Sequence, residues 1–305
     1  MTGEGVTLRW RPAFELDVGR TLGVHRRGGR DPTFRITPGG TVWRTCLTPE
    51  GPATLRLTTG QGAAVAADAW GAGAAWLIAA VPALLGARDD PAGFSPTHPR
   101  LREAWRNHPG VRIGRSDRVL EALVPAVLEQ KVVGAEAWRA WRYLVLRFGA
   151  LPPGPAPPGM RVFPPPATWL RIPSWEWHRA GVEAVRARTV IEAARVADRL
   201  EETTRMAADD ADRRLRALPG VGPWTSAEVR QRACGDADAV SVGDYHLPGA
   251  VGWALAGRKV DDAGMLALLE PYAGHRHRVT RLIELTGMGP PRHGPRYPIR
   301  DYRSI

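Results

Sequence analysis

Between residues 5 and 60, apolar and polar positions alternate in four short runs, VTLRW, TFRITPG, GTVWRTCLT and ATLRLTTG, separated by clusters containing Gly and Pro. A period of two puts every second side chain on one face, so the runs predict an antiparallel sheet with one apolar side. A helical run from about Gly62 to Leu85 is expected to pack on that side, giving a small α+β domain over residues 1–92. Within it, Ala69 to Ala87 (AWGAGAAWLIAAVPALLGA) carries no charge over 19 residues, near the length of a membrane span. Gly71, Gly73 and Pro82 interrupt it and no second such stretch follows, so a buried helix and no membrane contact are expected.

ARDDPAGFSPTHPR, rich in Pro and polar residues, marks a domain boundary. Beyond it the apolar period lengthens to that of a helix. Residues 118–148 hold two amphipathic segments with a break around Gln130 to Gly134, and ALPPGPAPPGMRVFPPP after them can only be an extended loop. SWEWHRAG, AVRARTVIEAARVADRLEE and DDADRRLRAL continue the helical pattern, so an all-α domain is predicted over 93–290. Residues 291–305 read as an extended basic tail.

Charge alters this picture in one respect. The formal net charge is +11, of which +2 falls before residue 98 and +9 after it. The helical part therefore carries the excess, which fits either a polyanionic partner or a surface kept soluble by charge. Only Cys46 and Cys234 are present, which excludes a disulfide framework and any four-cysteine iron–sulfur or zinc site. With no secretory signature in MTGEGVTLRWRP, a reducing cytoplasm is the expected compartment.

Residues 218–227, LPGVGPWTSA, lie between two helical patterns. Asp209 or Asp210 suits the N-cap of the first helix, Leu218 and Pro219 close it, Gly222 caps the second and Pro223 opens it. Gly-x-Gly frees the backbone and removes side chains from the tip. The amides of Gly220, Gly222 and the first turn then sit at the positive end of a helix dipole, where a phosphate can be held without any base being read. The other reading is a plain helix-to-helix turn.

Further on, VSVGDYHLPGAVGWAL places Asp244 at the head of another helical segment. An aspartate there is an N-cap by default, but the same dipole favours its ionised form, and a fixed negative charge is what a cationic transition state needs.

LPGVGPWTSA, the following Asp244 and the preceding AVLEQKVVGAEAW together resemble the helix–hairpin–helix DNA glycosylases, most of all the inducible alkyladenine type that removes 3-methyladenine. The resemblance spans nearly the whole chain and implies that the α+β domain is similar to that type's TATA-box-binding-protein-like lobe. It implies a monomer acting on double-stranded DNA with damaged bases, in the cytoplasm at the nucleoid. Members that also nick the backbone carry a lysine where this chain has Trp224, so a monofunctional hydrolase of alkylated bases is implied.

The family's roles carry over residue by residue. Asp244 would be the catalytic carboxylate, Trp224 and Tyr272 the aromatics against the flipped base, and Gly220, Gly222, Trp224 and Thr225 the contact to DNA. Lys131, with Gln130 beside it, occupies the place of the side chain that fills the gap in the duplex, where the family usually has an apolar wedge. Glu228 stands in the base pocket where the family often has a tyrosine. No organic cofactor is implied; a monovalent cation, Na or K, would be held by the carbonyls of Arg216, Leu218 and Val221. The competing readings are a non-catalytic DNA-binding or damage-sensing protein on the same fold, and a glycosylase for oxidised or deaminated bases.

Overall fold

The computed structural model describes residues 5–60 and 64–290; the basic tail falls outside the described residues. The chain opens with strand β1 (Val6–Trp10), short helix α1 (Val18–Leu22), and strands β2 (Phe34–Ile36), β3 (Val42–Thr48), β4 (Gly51–Thr59) and β5 (Val65–Trp70). All neighbours pair antiparallel in the order β1-β5-β4-β3-β2.

β5 corrects the expectation of one helix from Gly62 to Leu85. Its burial alternates along the run, Val65, Ala67 and Ala69 inward and Ala66, Asp68 and Trp70 outward. Asp68 also binds across both neighbouring strands, accepting from the Thr7 hydroxyl at 2.8 Å and from Arg56 at 2.9 Å. Cross-strand pairing thus overrides the helix preference of alanine. Gly71, at φ +106°, ends the strand, and helix α2 (Ala74–Leu84) begins only after it. α2 lays Leu77, Val81 and Leu84 on the apolar face of the sheet, against Leu55, Leu57 and Ala67. No helix among the described residues is long and apolar enough to cross a membrane.

The outer face of the sheet carries Trp43 and Trp70, stacked with centroids 6.0 Å apart, with the Arg56 guanidinium over both rings. The Pro-rich loop 149–165 crosses this face. A Cβ on Gly154 would lie 2.4 Å from the Trp70 ring, the Thr45 hydroxyl donates to the Arg161 carbonyl at 2.5 Å, and the Arg161 amide donates to Pro32 at 2.8 Å. The extended loop is therefore a strap tied to the first lobe.

The remaining chain is helical: α3 (Pro99–Asn107), α4 (Val119–Leu128), α5 (Gly134–Phe148), α6 (Pro166–Trp169), α7 (Ser174–Ala180), α8 (Ala184–Arg195), α9 (Ala197–Glu201), α10 (Ala208–Arg216), α11 (Pro223–Val229), α12 (Leu247–Ala256), α13 (Asp262–Leu269) and α14 (Arg276–Thr286). α11 runs on as a π-helical turn, Arg230–Cys234. α4 is buried at every position but Glu121 and lacks a side-chain cap of its own. Its first amides instead donate to the carboxylate of Glu201, Val119 at 2.8 Å and Leu120 at 3.1 Å, because buried amides need partners. α10 starts at Ala208 with Ala207 as N-cap, so Asp209 and Asp210 lie in its first turn rather than capping it; there they still face the positive end of the dipole.

These helices form two cores. One gathers α4, α5 and α8 with Leu218 and Val221 of the hairpin. The other joins Phe94 and Leu101 to α12, α13 and α14, so residues that follow the predicted boundary pack with the last helices of the chain. Arg278 of α14 clamps the boundary segment through a two-pronged ion pair with Asp89, at 2.6 and 2.9 Å, whose side chains are 3% and 1% exposed. Removing one partner leaves a buried charge uncompensated. Asp89→Ala is expected to cost about 3–5 kcal/mol, measured by urea unfolding; a loss under about 1 kcal/mol would match a solvated pair instead.

Candidate active site

The α10–α11 hairpin is shaped by two glycines with different reasons. Gly220 sits at φ +88°, and a Cβ there would come 2.1 Å from the Thr189 hydroxyl oxygen of α8, so the fold itself demands glycine. Gly222 has φ −93° and ψ −176°, and a Cβ there would meet nothing within 4 Å. As N-cap without a side chain it leaves the first amides of α11 uncapped and open to approach from outside.

The turn after α4 is bonded to this hairpin. Gln130 donates through Nε2 to the Gly220 carbonyl and to the Thr225 hydroxyl, both at 2.8 Å. Thr225 is buried, so its hydroxyl serves this contact rather than an outside ligand. Lys131, next along, is exposed and adopts φ +55°. Of the two candidate plug residues, Gln130 is thus committed within the protein and Lys131 points outward from a left-handed turn.

Trp224 and Asp244, twenty residues apart, meet. The Trp224 indole Nε1 donates to Asp244 Oδ2 at 3.1 Å, while Oδ1 accepts the amides of His246 at 2.7 Å and Leu247 at 2.8 Å. The carboxylate stands just ahead of α12 and bonds its first amides, as a capping side chain does. It forms no ion pair among the described residues and is half-buried. Both residues line a cavity of about 320 Å³, bounded by the start of α11, the Asp244 turn, α14 and the edge of the first lobe.

Glu228, one turn past Trp224, also faces this cavity. Its carboxylate accepts from Arg232 and from the Ser241 hydroxyl, each at 2.7 Å. Arg232 donates onward to the Val24 carbonyl at 3.0 Å, anchoring α11 to the first lobe. Glu129 on the cavity wall is matched by buried Arg27 at 3.0 Å.

Tyr272 is a correction. It does not line the cavity: the turn Glu270–Tyr272 directs the ring into the core of the last helices, 6.4 Å from the Phe94 centroid, with its hydroxyl 3.3 Å from that of Thr97. The wall toward the C-terminus comes instead from His277, Thr280, Arg281 and Glu284 of α14, residues that sequence reasoning missed. Their spacing is that of one helical face and was the available signal. His277 is buried, and burial, then Arg281, Arg232 and Arg278, hold its imidazole well below the usual pKa of 6.5.

The sequence matches no known family profile, and no curated protein matches it. Solved structures do match in fold. A 3-methyladenine DNA glycosylase from Archaeoglobus fulgidus superposes with a TM-score of 0.75 at 15% identity, over 91% of this chain and 97% of that one. An 8-oxoguanine glycosylase/lyase from Clostridium acetobutylicum, in complex with DNA, gives 0.70 at 12% identity over 92% and 95%. A 3-methyladenine DNA glycosylase from Schizosaccharomyces pombe, in complex with abasic DNA, gives 0.51 at 17% over 64% and 93%. The chain therefore has the fold of the helix–hairpin–helix DNA glycosylases, its five-stranded antiparallel sheet and helices included.

Two outcomes follow for these groups. Gly220→Ala should destabilise the fold by more than about 1 kcal/mol, whereas Gly222→Ala should leave thermal unfolding nearly unchanged; equal losses at both positions would contradict the steric difference. Because the folded His277 binds a proton less readily than its unfolded counterpart, stability should decline as pH falls below about 6.5. Urea unfolding at pH 7.5 and 5.5 should show this decline, with a smaller slope in His277→Asn.

Proposed function

We propose that the protein is a monofunctional DNA glycosylase that hydrolyses the N-glycosidic bond of alkylated purines, of the 3-methyladenine and 7-methylguanine kind, flipped out of duplex DNA. The observation that carries this reading is the Asp244 carboxylate, held by two amides and an indole at the wall of a base-sized cavity, with no cation paired to it among the described residues.

The hairpin amides would hold a phosphate of the damaged strand, Lys131 would reach the gap or a neighbouring phosphate, and the flipped nucleotide would enter the cavity. The carbonyls of Arg216, Leu218 and Val221 are hard oxygen donors of the type a monovalent cation takes, and the Leu218 carbonyl keeps a lone pair beyond its bond from the Val221 amide at 3.0 Å. A cation there would add positive charge beside the phosphate.

A purine alkylated on a ring nitrogen carries positive charge. The face of Trp224 and the carboxylates of Asp244 and Glu228 favour such a base over a neutral one. The C–N bond breaks with its electron pair leaving on the base, so the base departs neutral and the sugar becomes an oxocarbenium-like cation. Asp244 stabilises that cation and takes the proton from the water that adds at the anomeric carbon. Trp224 is a positioning residue for Asp244 as well as a surface for the base, since its indole N–H fixes one carboxylate oxygen. A lyase would need an amine near the sugar; the two lysines of the chain, Lys131 and Lys259, do not line the cavity.

Release of 3-methyladenine from methylated duplex DNA should fall about 10²–10³-fold in Asp244→Asn, which keeps an acceptor for the two amides but loses the charge. Trp224→Phe should lower kcat about tenfold with a smaller change in KM, as expected for losing one hydrogen bond to a charged group. Borohydride should trap no covalent adduct. Release by Asp244→Asn at the wild-type rate would overturn the catalytic role of Asp244, and no release by the wild type would overturn the enzymatic reading and leave a DNA-binding protein.

A further inference from the structure

His277 is a polar group of the cavity wall to which the mechanism above gives no task. His277 is 6% exposed yet lines the same cavity as Trp224 and Asp244. Its Nδ1 lies 3.5 Å from the Thr280 hydroxyl, and that hydroxyl already donates to the His277 carbonyl at 2.8 Å. With the hydroxyl proton spent there, its lone pairs face the ring, which favours the tautomer with hydrogen on Nδ1. Nε2 is then an acceptor. It has no partner among the described residues, and unlike the indole nitrogens of Trp169 and Trp177, which are sealed in the core, it opens on the cavity.

An unpartnered acceptor that opens on a cavity is free to take a donor from a ligand there. The nearby oxygens of Glu228 are already bonded to Arg232 and Ser241, which leaves them less open than Nε2 to a donor on a ligand. Burial, and after it the arginines around the ring, disfavour its protonation, which favours the neutral acceptor.

We propose that His277 is a specificity-determining residue that reads the flipped base, its Nε2 accepting an N–H from the base's exocyclic amine. The inference rests on the reading of the cavity as a base site. It selects purines that keep an amine hydrogen on the edge reaching α14, such as 3-methyladenine, over adducts in which that nitrogen has none, such as 1,N6-ethenoadenine. Adducts of the second kind would leave Nε2 buried and unpaired.

The test uses the free bases, so it does not depend on catalysis. Binding of 3-methyladenine and of 1,N6-ethenoadenine to the full chain is followed by quenching of tryptophan fluorescence. The wild type should bind 3-methyladenine more tightly; His277→Ala should weaken that base about three- to tenfold and leave the etheno base unchanged. His277→Gln, whose amide oxygen can accept, should restore part of the difference. Equal affinity of the wild type for the two bases, equal weakening of both in His277→Ala, or no change in either overturns the proposal. Should His277→Ala fail to fold, the imidazole nitrogen resonances of the wild type decide: Nε2 must shift on adding 3-methyladenine, and no shift overturns the assignment. The outcome is separable from that of the catalytic reading. Asp244→Asn with undiminished base release would remove the catalytic role and leave base reading intact, whereas an inactive Asp244→Asn beside an indifferent His277→Ala would remove base reading alone.

Discussion

Asp244 places a half-buried carboxylate beside a cavity, with no cationic partner among the described residues. Such a group would be costly in an apolar site, and three donors compensate it: two amides ahead of α12 and the Trp224 indole. Each donor comes from an element fixed by something else. α12 is held in the last core by Leu247 and Val251, and Trp224 sits in the first turn of α11, whose position follows from the hairpin. The hairpin in turn rests on α8 through Gly220 and on the turn after α4 through Gln130. The geometry of one side chain thus depends on both helical cores at once.

Other charges are handled in the opposite way. Arg27 with Glu129, Arg44 with Glu121 and Arg278 with Asp89 are close pairs with little exposure, and each joins segments far apart in sequence. Replacing such pairs with apolar residues need not weaken a protein, so their value lies more in fixing how segments meet than in raw stability. Glu228 belongs to both groups: its pairing with Arg232 links α11 to the first lobe, while its carboxylate forms part of the cavity wall.

Much of this was legible in the residues. Strands with clear alternation, the glycine-tipped hairpin and the aspartate at a helix head follow from local rules of period, φ and capping. β5 was not legible, since an alanine-rich run states no period by itself and its neighbours decided the matter. Tyr272 was misplaced for a related reason: which way an aromatic turns from a short turn is settled by the core it meets, here Phe94 and Thr97. Glu228 and Arg232, four apart, look from sequence like an ordinary helical surface pair, and only the packing of Ser241 and Val24 against them shows that they face inward. The α14 face at 277, 280, 281 and 284 was readable as a stripe, but nothing local said what it fronted.

The strap over Trp43 and Trp70 bears on how the chain matures. All five strands of the first lobe are available once residue 70 has left the ribosome, but the segment that covers their outer tryptophans emerges only after α3, α4 and α5. A sheet formed in that interval would have its stacked indoles uncovered. Arg56, lying over both rings and tethered to Asp68, sets a charge beside them, the kind of feature that disfavours edge-to-edge association of exposed sheet surface.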